Sequence, residues 1–391
     1  MKIMKKNIFT IFAFFIILPL SQAQNTWVQK ADYGGGFTSA STAFTINGKA
    51  YLGTGFDSFS GEALSSFWEY NPISDTWSQK ADMGGSPRGY ALSFSLNSKG
   101  YVGGGFDGLD PVNDFWEYNP TNNTWTQKAD MGGPSRLSGS AFSIDEKGYI
   151  GLGYNFETDK DLKDFWEYNP TNNTWTQKTN FGGHARQGAA SFAVEGKGYI
   201  GTGYDYDNDV DLKDFWEYNP ASNSWFQKSE FGGSTREFAS GFAIGSNGFI
   251  TCGYNYENDL LLKDMWQYSP ADNAWTQKAS MVGLERQVAA AFSIGSKGYI
   301  CGGYNFDLEL NDLWQYTPST TNQAPVANAG PDVTVDLPVN STLLNGSGSD
   351  PDGIIVNYTW SQVGITPSIA TILNSMTATP TVSDLIQGTY T

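Results

Sequence analysis

Asn123-Thr-Trp-Thr-Gln-Lys128 returns letter for letter as Asn173-Thr-Trp-Thr-Gln-Lys178. Variants of this hexapeptide begin at Asn25, Asp75, Asn223 and Asn273, so its tryptophan recurs as Trp27, Trp77, Trp125, Trp175, Trp225 and Trp275, at intervals of 50, 48, 50, 50 and 50 residues. A second series, Trp68, Trp116, Trp166, Trp216, Trp266 and Trp314, precedes the next member of the first by nine residues wherever both are present. Self-similarity at such a period means one small structural unit stacked many times, as a solenoid or a propeller.

Each unit reads as β-structure. In the unit that starts near Arg186, residues 189–194, 198–204, 214–218 and 224–228 are short apolar or alternating runs that predict four strands. Asn219-Pro-Ala-Ser-Asn223 separates the last two, and its turn-forming residues prevent one continuous strand. The nine-residue tryptophan spacing is then the length of that hairpin. No stretch combines helical periodicity with caps.

These residues resemble the kelch repeat. The matching pattern is a glycine before an aromatic at the end of the second strand, then Tyr-x-Pro, then a tryptophan seven residues after that tyrosine, as in Tyr168-Asn-Pro-Thr-Asn-Asn-Thr-Trp175. The likeness covers about residues 25–318 in six copies. Its double glycine is complete only at Gly104-Gly105 and Gly302-Gly303; elsewhere Thr54, Leu152, Thr202 or Cys252 takes the first place. The resemblance implies an all-β fold, a six-bladed kelch β-propeller over residues 24–318. The chain opens on a lone fourth strand around Trp27 and leaves its last unit without one, so the N-terminal strand is expected to complete the sixth blade and remove an exposed edge.

Composition agrees and narrows the function. Aromatic residues are too abundant (25 Phe, 21 Tyr, 13 Trp) for a disordered chain, and a formal charge of −17 excludes the basic face that nucleic acid or an anionic membrane requires. Residues 1–23 read as a secretory signal: Lys2, Lys5 and Lys6, an apolar run over 8–20, and Ser21-Gln22-Ala23 before the cleavage point. That run is shorter than the roughly 20 residues of a spanning helix, and no later segment is apolar for longer, so the protein is expected to be exported and not membrane-spanning. Cys252 and Cys301 fall in consecutive units, one residue out of register. Facing sheets lie about 10 Å apart and a disulfide needs Cα atoms within about 7 Å, so buried free thiols are expected.

After Pro318 the composition changes. Residues 319–323 form a polar linker, and Ala-Pro-Val-Ala-Asn-Ala-Gly-Pro-Asp-Val-Thr-Val from Ala324, with Asp350-Pro-Asp-Gly353 and Tyr358-Thr-Trp360, resembles the start of a PKD domain. That resemblance implies a partial immunoglobulin-like β-sandwich over 324–391, of a kind found in surface and secreted proteins, and further strands are expected beyond Gln387-Gly-Thr-Tyr390.

In a four-stranded antiparallel blade, the loop between strands two and three and the link to the next blade emerge on one face. That face would hold every arginine of the protein, Arg88, Arg136, Arg186, Arg236 and Arg286, at one repeat position where the first unit has Thr38. They either clamp a ligand carboxylate through two-pronged hydrogen bonds or pair with acids of the blades. The same face would hold Glu157, Asp159 and Asp161, then Asp205, Asp207, Asp209 and Asp211. Carboxylates on alternate residues suit Ca²⁺, although Val210 and Trp216 stand where an EF-hand needs Gly and Glu; the alternative is a solvated acidic loop. Tyr154, Tyr204 and Tyr206 border these loops and could stack on sugars. His184 is the single histidine, which excludes a two-histidine copper or zinc centre. The expected function is that of a monomeric, secreted or cell-surface protein binding an extracellular glycan or protein without an obligatory cofactor. The alternative is a propeller enzyme, sialidase-like or epimerase-like, acting on an acidic sugar.

Overall fold

The computed structural model describes residues 25–57, 60–318, 326–336, 338–349, 358–362 and 368–388; the expected signal segment and linker lie outside them. Asn25–Pro318 forms one compact unit, and the described residues after Pro318 belong to another.

The first unit contains six antiparallel four-stranded sheets, here numbered as blades from the N-terminal side. Blade four shows the plan: Ala190–Val194, Lys197–Gly201, Phe215–Asn219 and Ser224–Gln227 pair in sequence order, from the centre outwards. The innermost strand alternates because its two faces differ. Ala190, Phe192 and Val194 are buried between blades, while Ser191 and Ala193 are half-buried beside the axis. Innermost strands touch all round the ring, including Thr42–Ile46 of blade one against Ala290–Ile294 of blade six. They enclose an axial cavity of about 230 Å³ lined largely by small residues such as Ala43, Ser93, Ser143 and Ala243.

The N-terminal strand closes the ring. Thr26–Lys30 is the outermost strand of blade six, pairing with Leu313–Thr317 in the register Trp27 to Tyr316. The repeated Tyr, Asn and Trp join each blade to its neighbour. Asn223 Oδ1 accepts the Tyr218 hydroxyl at 2.9 Å and the Thr179 N–H at 3.1 Å, and Trp225 Nε1 donates to the Thr179 carbonyl at 3.1 Å. Trp27 makes the equivalent bond to Ala279 O at 2.9 Å, sewing the N-terminal strand to blade five. Close packing explains one recurrent glycine: a Cβ on Gly198 would come within 2.2 Å of the Phe142 ring of blade three.

A second set of bonds encircles the axis. Ala40, Tyr90, Ser138, Gly188, Phe238 and Val288 each donate their backbone N–H to the carbonyl of the preceding member, and Ala40 donates to Val288, at 2.8–3.2 Å. All six residues lie at left-handed φ between 49° and 62°, although only one is glycine. Such backbones are costly for residues with a Cβ and persist where the surroundings over-determine them.

Two details differ from the sequence reading. The second strand stops at Gly201, because Thr202 and Gly203 both take positive φ and turn the chain. The segments read as acidic loops contain small hairpins, Tyr154–Asn155 with Lys160–Asp161, Tyr204–Asp205 with Val210–Asp211, and Tyr254–Asn255 with Leu260–Leu261. Among the described residues the one helical element is the 3₁₀ turn Tyr256–Asn258. Cys252 and Cys301 are buried free thiols.

In the second unit, Val326–Asn328 pairs with Ser347–Ser349, and Thr381–Ser383 lies between Thr342–Leu343 and Thr371–Leu373. Leu344, Trp360, Ala370, Val382 and Leu385 form its core, and Trp360 Nε1 is satisfied by Thr377 O at 2.9 Å. Trp360 is the one tryptophan outside the two periodic series.

Candidate functional site

The second-to-third-strand loops and the blade-linking segments do meet on one face, joined by isolated β-bridges such as Gln187 with Tyr204 and Glu237 with Tyr254. The turn glycine of each blade also donates to the next blade's link, as in Gly203 N–H to Arg236 O at 2.8 Å.

The five arginines lie beneath this face. Each is 0% exposed. Arg186 reaches Asp214 through both terminal nitrogens at 2.6 and 2.9 Å and gives a further bond to the Thr202 carbonyl at 3.0 Å. Arg136 pairs likewise with Asp164, Arg236 with Asp264, Arg286 with Asp312 and Arg88 with Asp114. The two-pronged geometry expected for an external acid is thus used on an internal one, and no guanidinium face remains for a ligand. Burial alone would raise the Asp214 and Asp264 carboxyls, but the arginines override it and hold them below the ordinary carboxylate range. The second oxygen of each of these aspartates also accepts an indole, as in Trp216 Nε1 to Asp214 at 2.7 Å. Blade one has neither charge: Ser66 stands in the aspartate's place opposite Thr38, and Trp68 Nε1 is buried without a partner. The aspartates went unread in the sequence, although their absence from the one unit that also lacks arginine was a signal.

The acids expected to hold a cation are dispersed. Asp159 accepts the Tyr154 hydroxyl and Asp209 the Tyr204 hydroxyl. Asp207 pairs with Lys160 of the preceding blade at 2.5 Å, Asp205 accepts from Asn208 and faces His184 Nδ1 at 2.9 Å, and Glu157 is exposed. Asp161 and Asp211 are buried, and each takes a backbone N–H from the next blade, that of Tyr206 at 2.8 Å and of Tyr256 at 2.6 Å. Their Oδ1 atoms are buried without a hydrogen-bond partner. Among the described residues, no three His, Cys, Asp or Glu side chains are grouped to hold a metal ion. Burial pushes Asp161 up to about 7 and Asp211 to about 6, against the lowering effect of those amides. Glu237 rises to about 8 through burial and the charges of Asp211 and Asp161.

What the face exposes is aromatic. Phe156, Tyr206, Tyr256 and Phe306 occupy one repeat position in four successive blades and are 57%, 42%, 46% and 46% exposed. Each rests against the aromatic that follows the turn glycine of the preceding blade: Phe156 on Phe106, Tyr206 on Tyr154, Tyr256 on Tyr204 and Phe306 on Tyr254, with centroids 5.4–6.0 Å apart. Of the tyrosines expected to meet a ligand, Tyr206 is therefore the exposed one, while Tyr154 and Tyr204 support it and its neighbour and bond their hydroxyls to aspartates. Phe156 and Phe306 were not singled out from the sequence, where an aromatic three residues past the turn glycine is easily read as packing.

Comparison with known proteins agrees with this architecture. A model described as the KLHDC2/KLHL20/DRC7 Kelch-repeats domain matches residues 24–199, and one describing the PKD domain of KIAA0319-like proteins matches residues 329–391. Three curated proteins are similar over 69 residues, 18% of this chain: the mouse dyslexia-associated protein KIAA0319-like protein at 42% identity, the rat KIAA0319 homolog at 46% and human KIAA0319 at 48%. The matched stretch is 6% of the length of each of them.

Proposed function

A kelch-repeat β-propeller followed by a PKD domain is a scaffold for interaction, and from that premise we propose that this protein works outside the cell, binding a glycan across the loop face of blades three to six. The observation that carries the reading is the arc of exposed rings, Phe156, Tyr206, Tyr256 and Phe306, each held in place by a second ring behind it. Solvent-exposed rings set side by side are unfavourable unless they meet a partner, and the apolar face of a pyranose ring is such a partner. The acids around the arc, Glu157, Asp207 and Glu257, turn away sulfated or sialylated chains and favour neutral or amino-bearing ones. With every arginine enclosed, the acidic-sugar enzyme loses the group that would have recognised its substrate. The PKD domain and the basic and apolar N-terminal sequence support the extracellular setting, and among the described residues no helix is long and apolar enough to cross a membrane. The ring completes its own sixth blade, which supports a monomer.

A glycan array tests this directly. Retention is expected on neutral or amino glycans, and Tyr206→Ala or Tyr256→Ala should weaken it about tenfold, the scale of one aromatic contact. A chelator should leave retention unchanged, because Asp159, Asp207 and Asp209 each already have a protein partner. Absence of retention on every glycan, or retention that ignores both tyrosines, would overturn the reading.

A further inference from the structure

We infer that the exposed arc of blades three to six takes a linear polymer of amine-bearing sugars, in which each ring and the acid that follows it meet one recurrence of the same cationic unit. This rests on the glycan reading and narrows it to the cationic, repeating members of that class.

The sequence of the hairpin tips is the first observation. Every ring of the arc is followed directly by an acid: Glu157 after Phe156, Asp207 after Tyr206, Glu257 after Tyr256 and Asp307 after Phe306. All four acids are exposed. Blades one and two have Ser58-Phe59 and Gly108-Leu109 at these two places, so the first place lacks its ring and the second its acid. Ring and acid are thus present together or absent together, as the two parts of one recognition unit would be. A position that only covered its supporting ring would have no use for the charge.

Charge is the second. Among the described residues, Asp207 is the one acid of the four in a salt bridge, with Lys160, and that pair is open to water, its side chains 49% and 59% exposed. Such pairs contribute little, so a ligand ammonium can replace Lys160 at small cost. Behind the tips, Asp159, Asp209 and Asp259 accept the hydroxyls of Tyr154, Tyr204 and Tyr254, which keeps further negative charge beside the arc. A ring face attracts an ammonium, and a surface of one sign concentrates the opposite one. A neutral chain would use the rings and leave the acids idle, and an anionic one would be repelled.

Repetition selects the polymer. Tyr154 lies 6.3 Å from Phe156 and 5.4 Å from Tyr206, and Tyr254 lies 6.4 Å from Tyr256 and 5.6 Å from Phe306, so exposed and supporting rings alternate at similar intervals. The same chemistry recurs four times along a curve. A polysaccharide recurs in this way, whereas a peptide of mixed sequence does not. Once one unit is bound, each further contact is intramolecular, so affinity should climb with chain length until the arc is spanned.

The experiment uses calorimetry on the full chain at about pH 5.5, where amines are protonated and exposed Asp and Glu are ionised. The probes are β-linked glucosamine oligomers of increasing length, their N-acetylated counterparts, and oligolysine of matched charge. The glucosamine series should tighten with length and then level off, its longest member binding about tenfold better than the N-acetylated one. Glu157→Gln combined with Glu257→Gln should weaken that member about fivefold, the scale of two exposed ion pairs. Asp145→Asn combined with Glu146→Gln removes two exposed charges from the turn between the first and second strands of blade three, on the opposite face, and should leave affinity unchanged. Equal binding of amino and N-acetylated oligomers, or affinity indifferent to length, overturns the inference and leaves the glycan reading standing. Oligolysine as tight as the glucosamine oligomer, or an equal loss in the opposite-face variant, would reduce the effect to net charge and overturn it as well. If no saccharide of either kind binds, both readings fall.

Discussion

Arg186 and Asp214 show how a charged residue can recur for reasons internal to the fold. A guanidinium wholly removed from water needs its carboxylate, and removing one partner of such a pair typically costs about 3–5 kcal/mol. Arg186→Ala should therefore lower stability by that amount in urea melts. Arg186→Thr combined with Asp214→Ser, which copies Thr38 and Ser66 of blade one, should recover a large part of the loss. A double variant as unstable as the single one would show that the pair is not what holds the site. The arginine period was legible in the sequence, but its direction was not, because a side chain at a loop base can point into the fold or out of it with the same spacing. Burial decides between the two, and burial is a property of what packs above. The matched absence of both charges in blade one was the available clue.

At the scale of elements, the strand Thr26–Lys30 matters most, since it alone comes from the far end of the propeller sequence. It covers the edge of Leu313–Thr317 and brings Trp27 to Ala279 and Asn25 to the Tyr316 hydroxyl, the last at 2.6 Å. A chain begun after Lys30 should melt lower and associate through the bared edge, and a synthetic peptide of residues 25–31 should restore the monomer on gel filtration. Unchanged melting and elution would argue that blade six is complete without it. This closure could be read from a lone Trp27 with no partner strands before it. The small hairpins beyond the turn glycines could not, because Asp205-Tyr-Asp-Asn-Asp-Val-Asp211 has the composition of a solvated loop, and its pairing of Tyr204–Asp205 with Val210–Asp211, joined by the cross-blade bond from the Tyr206 amide to Asp161, leaves no apolar alternation to read.

For the whole molecule the acids act in two opposed groups. Asp161, Asp211 and Glu237 bind protons more tightly when folded, at about 7, 6 and 8 against 3.8, 3.8 and 4.5, so they favour the fold at low pH and withdraw that support as pH rises through those values. Asp114, Asp214, Asp264 and Asp312, held down by arginine, and Glu117, held down by Lys99 and Tyr101, do the reverse and lose their contribution on acidification. Melting temperature should thus peak in mildly acidic buffer, at about pH 5, and decline toward about pH 8, with Glu237→Gln flattening the alkaline side. A melting temperature that climbs steadily to pH 8 would contradict this balance. The axial circle of Ala40, Tyr90, Ser138, Gly188, Phe238 and Val288 has a different kind of consequence. A helix or a ladder has ends, where unpaired groups fray first, but this cycle has neither a first donor nor a last acceptor. Breaking it at any joint strands both an amide and a carbonyl, so no blade is terminal and none can peel away alone, as the outer repeat of an open solenoid can.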